Sequence, residues 1–291
     1  MTNLGQEHRL PLPQGEIRYY ERGSGQPVVF VHGVLTNAQL WRKVVPGVAE
    51  AGFRCIAPDW PLGSHETPMR ADADLTPAGN AELIADFLDA LDLRDVILVG
   101  SDTGGALTQI MVARHPERVG RVVLLPSDTF THFFPPLFKP LTAFAKVPGS
   151  MTVVARLLQV KALHRLPVAF GWMVKRPPEP GVLEAYFAPI RRSAGVRRDA
   201  RKLLSTVHPR YTLEAAEKLR TFDRPVLLVW GSEEKVFPIR MARRLAAQLP
   251  DARLVEVADT YTFISEDRPE AVVRHILEFA GATAPYQSDR R

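Results

Sequence analysis

Short apolar runs alternate with longer, periodically apolar stretches through the first third of the chain. Residues 28–31, 54–57, 96–99 and 122–125 are the runs, each followed by turn-forming or polar residues. Runs of this length suit strands buried on both faces, the condition of a parallel sheet. Residues 16–21 also have strand character. Residues 37–51 are expected to form a helix, with Leu40, Val44, Val48 and Ala51 on one face. Thr76-Pro77 starts a second helix, a capping hydroxyl followed by proline at the first helical position. It continues through Ile84, Phe87, Leu88 and Leu91, and residues 106–114 form a third.

After Asp128 the pattern changes. Residues 129–221 lack short apolar runs and are rich in Pro, Arg and helix-forming segments such as 151–158 and 183–190. The earlier rhythm returns with a strand at 225–230, a helix at 240–249, a strand at 253–257 and a helix at 270–280. Strands alternating with helices predict a parallel sheet covered on both faces. The expected organisation is an α/β core of residues 1–128 and 222–281, with a helical cap at 129–221 and a frayed tail at 282–291. The cap is expected over the carboxyl ends of the strands, where open α/β sheets bind ligands. A chain of 291 residues is long enough for such a core and insertion.

Composition narrows the function classes. The 37 Lys and Arg exceed the 32 Asp and Glu by 5. That excess is modest, and with no RNA or DNA motif beside it no nucleic-acid partner is expected. Cys55 is the single cysteine, so no internal disulfide can form, and it is expected to be a small buried strand residue. No Cys/His spacing suggests a metal site, and no cofactor is expected. The polar, proline-containing N-terminus is unlike a signal peptide. No run of about 18 apolar residues appears, so no membrane insertion is expected. The expectation is a cytoplasmic enzyme with a small-molecule substrate, its oligomeric state open.

The chemistry concentrates in residues 97–105, Ile-Leu-Val-Gly-Ser-Asp-Thr-Gly-Gly. They read as a strand, a tight turn and a helix start. A nucleophile elbow needs small residues two positions before and two after the nucleophile, because larger ones would collide with the neighbouring strand or helix. Centred on Asp102, those positions are Gly100 and Gly104; centred on Ser101, they are Val99 and Thr103. The spacing therefore selects Asp102. A glycine-rich turn with a helix-capping Asp is the alternative, and a dinucleotide turn lacks its G-x-G-x-x-G. A carboxylate, with an ordinary pKa of about 3.9, is ionised at neutral pH. It can attack an alkyl halide or an epoxide unaided, leaving an ester that water hydrolyses with the help of a base.

His32-Gly33 after one strand, Asp59-Trp60-Pro61-Leu62-Gly63 after the next and the Asp-centred elbow resemble the α/β-hydrolase superfamily. The elbow is similar to those of haloalkane dehalogenases and epoxide hydrolases. The likeness spans residues 16–128 and 222–280. It implies an α/β-hydrolase fold, a mostly parallel sheet flanked by helices with an inserted helical cap. The family order of nucleophile, acid and His places the acid at Glu234, in Gly231-Ser232-Glu233-Glu234, or at Asp128. The family's His is expected within residues 259–270. There Asp259, Phe263, Glu266-Asp267 and Pro269-Glu270 match the family pattern, and Thr262 occupies the His position. Threonine cannot act as a general base at neutral pH. His65, on the loop after the second motif, is the best replacement, with His132 and His164 as lesser ones.

The resemblance also implies an oxyanion hole built from the N–H groups of Val34 and Thr103. Dehalogenases of this kind hold the halide with a Trp beside the nucleophile and often an Asn after His-Gly. Thr103 and Val34 supply neither donor, which favours epoxide opening. Epoxide hydrolases donate to the ring oxygen from two cap tyrosines, for which Tyr186 and Tyr211 are candidates, packing tyrosines being the alternative. His32, structural in the family, and Thr262 complete the substrate-contacting set. Phe133, Phe134, Leu137, Phe138, Phe144 and Phe170 suggest an apolar lining or a cap-to-core contact. Arg191-Arg192, Arg197-Arg198 and Arg201-Lys202 read as a solvated helix face, or else a contact for an acidic substrate or an anionic membrane. Two other functions stay open: a cyclase, isomerase or lyase using Asp102 as acid or base, and a ligand-binding protein on a hydrolase scaffold.

Overall fold

Eight strands form one sheet in the order β1-β2-β4-β3-β5-β6-β7-β8 in the computed structural model of the chain, which describes residues 3–281. The strands are β1 (Gln6–Leu12), β2 (Gly15–Arg22), β3 (Gln26–Val31), β4 (Phe53–Pro58), β5 (Val96–Asp102), β6 (Val119–Ser127), β7 (Val226–Gly231) and β8 (Ala252–Val257). From β4 to β8 every neighbouring pair is parallel; β1 and β2 add an antiparallel margin. All of β5 and β7 and the ends of β3 and β6 are buried, so the unbroken apolar runs match strands covered on both faces. The buried thiol of Cys55 on β4 fits its expected place, and burial pushes its pKa up.

Helices α1 (Val45–Glu50), α2 (Pro77–Ala90) and α3 (Thr103–Val112) connect the first strands. Thr76 caps α2 as expected, its hydroxyl accepting from the Gly79 N–H at 3.1 Å. The single helix expected at 37–51 is instead a short 3-10 helix, Ala38–Trp41, followed by α1. Pro46 is the physical reason: it has no N–H to donate and its ring crowds the preceding turn. Leu40, Val44 and Val48 are buried regardless. The polar N-terminus, read as irregular, is the edge strand β1, with inward and outward residues alternating. A hairpin partner one residue-pair at a time, Leu10 against Ile17, fixes its register.

Between β6 and β7 the named elements are all helical. They include α4 (Lys139–Ala145), α5 (Ser150–Leu157), α6 (Pro180–Arg192), α7 (Ala194–Thr206) and α8 (Pro209–Lys218). Tyr186 and Ile190 on α6, and Val196, Ala200 and Leu203 on α7, are buried at helical spacing. The basic cluster is less a solvated face than a set of struts. Arg197 donates to the carbonyls of Ile190 and Arg191, Lys202 to those of Ala71 and Ala73, and Arg198 pairs with Asp199 at 2.8 Å. The chain closes with α9 (Ile239–Gln248), α10 (Ile264–Asp267) and α11 (Pro269–Ala280). The tail expected to fray lies outside the described residues. No helix among the described residues is long and apolar enough to cross a membrane.

Candidate active site

Parallel pairing brings the carboxyl ends of β3, β5, β6 and β7 to one edge of the sheet. Val31 stands beside Gly100, and Asp102 beside Ser127. His32-Gly33, Asp102, Asp128 and the loop to Glu234 therefore emerge together. Asp102 is the last residue of β5, and α3 begins at the next residue. Its φ of 55° and ψ of −134° are costly for a side chain, on the order of 1–3 kcal/mol. Such a turn leaves no room beside it. A Cβ at Gly104 would overlap the backbone oxygens of His32 and Val31, and one at Gly33 would overlap the Asp102 carboxylate itself. The glycines inferred from spacing are therefore required by close approach.

The backbone N–H groups of Thr103 and Val34 face the Asp102 carboxylate and favour its charged form. Burial pushes its pKa up to about 7; the two N–H groups oppose the rise and the charge of Glu234 adds to it. Glu234 follows β7. Its Oε1 accepts from the N–H of Val236 at 2.7 Å, the N–H of Phe237 at 3.0 Å and the Thr262 hydroxyl at 2.8 Å. Its Oε2 is buried without a hydrogen-bond partner. Burial lifts Glu234 to about 7 against the pull of these donors. Asp128 is fully buried, held well above the carboxylate range by burial and by the Asp102 charge. Its Oδ2 is 3.4 Å from the Thr103 hydroxyl and its Oδ1 has no partner. Two poorly solvated carboxyls thus flank Asp102, and burial makes it costly to ionise all three together.

Asp102 lies at the wall of a cavity of about 400 Å3. Phe134, Leu137, Phe138 and Phe170 line it, four of the aromatic and aliphatic residues expected there, with Val34, Leu35, Met173, Phe187 and Phe263. Of the other two, Phe133 is buried elsewhere and Phe144 is exposed. Among the described residues Asp102 is the single carboxylate lining this cavity, and His164 is the other titratable group. The His164 ring rests against Phe187 with centroids 4.8 Å apart, and its Nε2 is 2.9 Å from the Leu158 carbonyl oxygen. Sequence reasoning ranked His164 below His65 because spacing says nothing about which cap side chain turns inward.

Several expected site residues belong elsewhere. His65 is buried against Asp199 of α7, 3.2 Å from its carboxylate, and does not line the cavity. His32 Nδ1 lies 2.9 Å from the Gly33 carbonyl oxygen and its Nε2 accepts from the Trp60 N–H at 2.9 Å. Both ring nitrogens are thereby spent on the backbone, burial lowers its pKa to about 3, and the ring does not line the cavity. Tyr186 stacks on Phe170 but does not line the cavity, and its hydroxyl is buried without a hydrogen-bond partner; burial and the Glu266 charge raise its pKa well above the usual range. Tyr211 meets Arg210 at 2.9 Å on the outer side of α8. Thr262 is buried, and its hydroxyl serves Glu234.

The acidic residues downstream of Thr262 also find their reason. Glu266 forms a two-pronged buried bridge with Arg42. Asp267 accepts from the N–H groups of Lys175, Arg176 and Tyr261 and from the Thr260 hydroxyl. These clamp the Thr262 loop to the core and to residues 175–176 in the middle of the helical insertion. No group of three or more His, Cys, Asp and Glu among the described residues is placed to hold a metal ion.

Comparison with known proteins agrees with this architecture. A family model described as alpha/beta hydrolase fold matches residues 26–269. Haloalkane dehalogenase 2 of Mycobacterium tuberculosis strain H37Rv is 29% identical over 274 residues, 92% of each chain. The cis-3-alkyl-4-alkyloxetan-2-one decarboxylase of Shewanella oneidensis is 29% identical over 291 residues, 95% of this chain and 88% of that one. The crystal structure of haloalkane dehalogenase DatA from Agrobacterium tumefaciens C58 superposes with a TM-score of 0.78 at 23% identity, over 97% of this chain and 99% of that one.

Proposed function

Because the chain belongs to the α/β-hydrolase fold family, we propose that it is a hydrolase opening a strained oxygen ring, an epoxide first of all, with Asp102 as nucleophile. In this reading residues 129–221 cap a core of 1–128 and 222–281. The observation that carries it is Asp102 on a strained turn, faced by two N–H groups at the wall of an apolar cavity. A volume near 400 Å3 suits a small or medium apolar molecule. A departing halide would need N–H donors, and the lining offers only the His164 ring, already engaged with Leu158. A strained ring oxygen needs only a proton and stays on the product as a hydroxyl.

The steps balance on the Asp102–Glu234 pair, which carries one proton near pH 7. An Asp102 oxygen bonds to a ring carbon, the carbon–oxygen ring bond breaks, and the freed oxygen takes a proton from a water that Glu234, outside the cavity lining, reprotonates. Water then bonds to Cγ of Asp102 as its proton passes to the Glu234 carboxylate. The oxyanion formed on Asp102 lies against the N–H groups of Val34 and Thr103. Collapse expels the alkoxide, which takes the remaining acid proton, and Asp102 returns as carboxylate. Glu234 thus does without the imidazole that Thr262 displaces, since a carboxyl near 7 exchanges protons at neutral pH.

The absence of an imidazole at Thr262 and the relative named as an oxetan-2-one decarboxylase support a second reading. Asp102 would open a four-membered lactone at its alkyl carbon, and the resulting carboxylate would leave as CO2 while the electron pair forms an alkene and expels Asp102. No water is activated on that route. Incubation with epoxides, haloalkanes and oxetan-2-ones, followed by intact-protein and product mass, tests both. Epoxide hydrolysis adds the mass of water and passes through an adduct on the peptide holding Asp102; decarboxylation removes the mass of CO2. Turnover that persists in Asp102→Asn, with reversion by deamidation excluded, refutes the nucleophile assignment.

A further inference from the structure

We propose that the helical insertion docks on an anionic lipid bilayer and that the Asp102 cavity opens onto that contact. Three observations carry this. First, Leu157, Leu166 and Val168 line the cavity and yet are 51%, 44% and 55% exposed, so the cavity mouth is rimmed by apolar side chains facing outward. Val147, Val153, Val160 and Trp172, from the same stretch of chain, extend the exposed apolar surface. Seven exposed large apolar side chains within residues 147–172 are more than the scattered single ones of an ordinary surface.

Second, the chain from Thr129 to Pro178 contains no Asp or Glu. Its Lys139, Lys146, Arg156, Lys161 and Arg165 are exposed and have no ion-pair partner among the described residues. Elsewhere in the insertion Lys175 and Arg176 pair with Asp259, Arg191 with Glu184 and Arg198 with Asp199, while Arg197, Arg201 and Lys202 donate to backbone carbonyls and Arg210 to the Tyr211 hydroxyl. Unpaired cations are therefore concentrated where the apolar residues are exposed. Third, the two sets are contiguous. Lys161 and Arg165 line a cleft that shares Leu158, His164, Phe170 and Phe187 with the Asp102 cavity. Among the described residues the one carboxylate lining that cleft, Glu184, is paired with Arg191, and exposed apolar side chains mixed with otherwise unpaired cations match an interfacial surface on anionic lipid. A soluble protein partner with an acidic face would satisfy the cations but not the exposed Val, Leu and Trp.

The arrangement bears on substrate delivery. An apolar molecule concentrates in the bilayer, and a mouth seated on the headgroup layer admits it without crossing water. This inference does not depend on the reaction at Asp102, since docking needs no turnover.

Trp172 is half-exposed, whereas Trp41, Trp60 and Trp230 are buried, so a change in tryptophan emission reports on this face. The full chain is titrated with phosphatidylglycerol–phosphatidylcholine vesicles and with phosphatidylcholine vesicles, at low and high salt. We expect a blue shift and co-sedimentation with the anionic vesicles, at least tenfold weaker binding to the neutral ones, and loss at high salt. Lys161→Ala with Arg165→Ala should weaken binding by roughly 25-fold, about fivefold per cation removed. Val153→Asp with Val160→Asp should abolish the blue shift, and Arg94→Ala on the core should change nothing. Asp102→Asn should bind vesicles like the parent chain, which separates this test from that of the reaction. Three results overturn the proposal: no binding to anionic vesicles at low salt, equal loss in Arg94→Ala and the Lys161/Arg165 variant, or concentration-dependent dimerisation that vesicles do not compete away.

Discussion

Replacing Asp102 by Asn should make the protein more stable, and increasingly so as pH rises. Burial and Glu234 raise the folded-state pKa of Asp102 from 3.8 to about 7. An acid raised on folding contributes its full stability below 3.8, and that contribution is lost as pH climbs through about 7. The rise of about 3, at 1.36 kcal/mol for each, makes the parent chain about 4 kcal/mol less stable above pH 7 than the same fold with a neutral group. Asn carries no such cost. Its amide turns one donor toward the N–H groups of Thr103 and Val34, a loss of about 1 kcal/mol at every pH. The net expectation is a gain of about 3 kcal/mol at pH 8, falling to a small deficit near pH 4. For a chain of this size that is roughly 6–12 °C in Tm. Urea and thermal melts at pH 4, 6 and 8 read it directly. Part of the rise comes from the Glu234 charge, so the gain at pH 8 should shrink in a Glu234→Gln background. A gain that does not grow between pH 4 and pH 8, or one indifferent to Glu234, would refute the picture of two buried carboxyls sharing a proton.

Thr262→Val removes a 2.8 Å donor from Glu234 Oε1, which should raise the Glu234 pKa and move the pH profile of adduct hydrolysis upward by under one pH unit, about 1 kcal/mol; an unmoved midpoint in single-turnover decay counts against Glu234 as the base. Attack by Asp102 needs its ionised form and ring opening needs the Glu234 proton, so adduct formation from an epoxide should peak near pH 7 and fall on either side, and a rate flat from pH 5 to 9 contradicts the two raised pKa values. Gly33→Ala puts a methyl group into the Asp102 carboxylate and should slow adduct formation by on the order of 100-fold while the circular dichroism stays unchanged; a near-parent rate means the carboxylate does not rest there. Glu266→Gln leaves Arg42 buried with its charge unmatched and should cost about 3–5 kcal/mol in urea melts, and a loss under 1 kcal/mol would mean the bridge is not buried in solution.

What was legible from the residues alone is local and repetitive. Unbroken apolar runs at 28–31, 96–99 and 225–230 identify strands covered on both faces, because only such strands need apolar residues at every position. Gly100 and Gly104 identify Asp102, because the turn tolerates no side chain at either place. Glu234 and Asp128 could both be aligned with the family's acid positions, and in the structure the Thr262 hydroxyl donates to Glu234. The direction of side chains in the insertion was not legible. Amphipathic helices state which face is apolar but not what that face meets, so spacing places His65 ahead of His164 and offers Tyr186 and Tyr211, although His164 is the one of the four that lines the cavity. Tertiary packing buried Tyr186 away from the cavity and turned His65 to Asp199, a charged partner 134 positions away. It also decided the ionisation of the site. An Asp in sequence has an ordinary pKa near 4, and only the removal of water around Asp102, Asp128 and Glu234, all at the same sheet edge, raises each of them. Desolvation and charge proximity are properties of the folded arrangement, since they depend on which distant residues exclude the solvent.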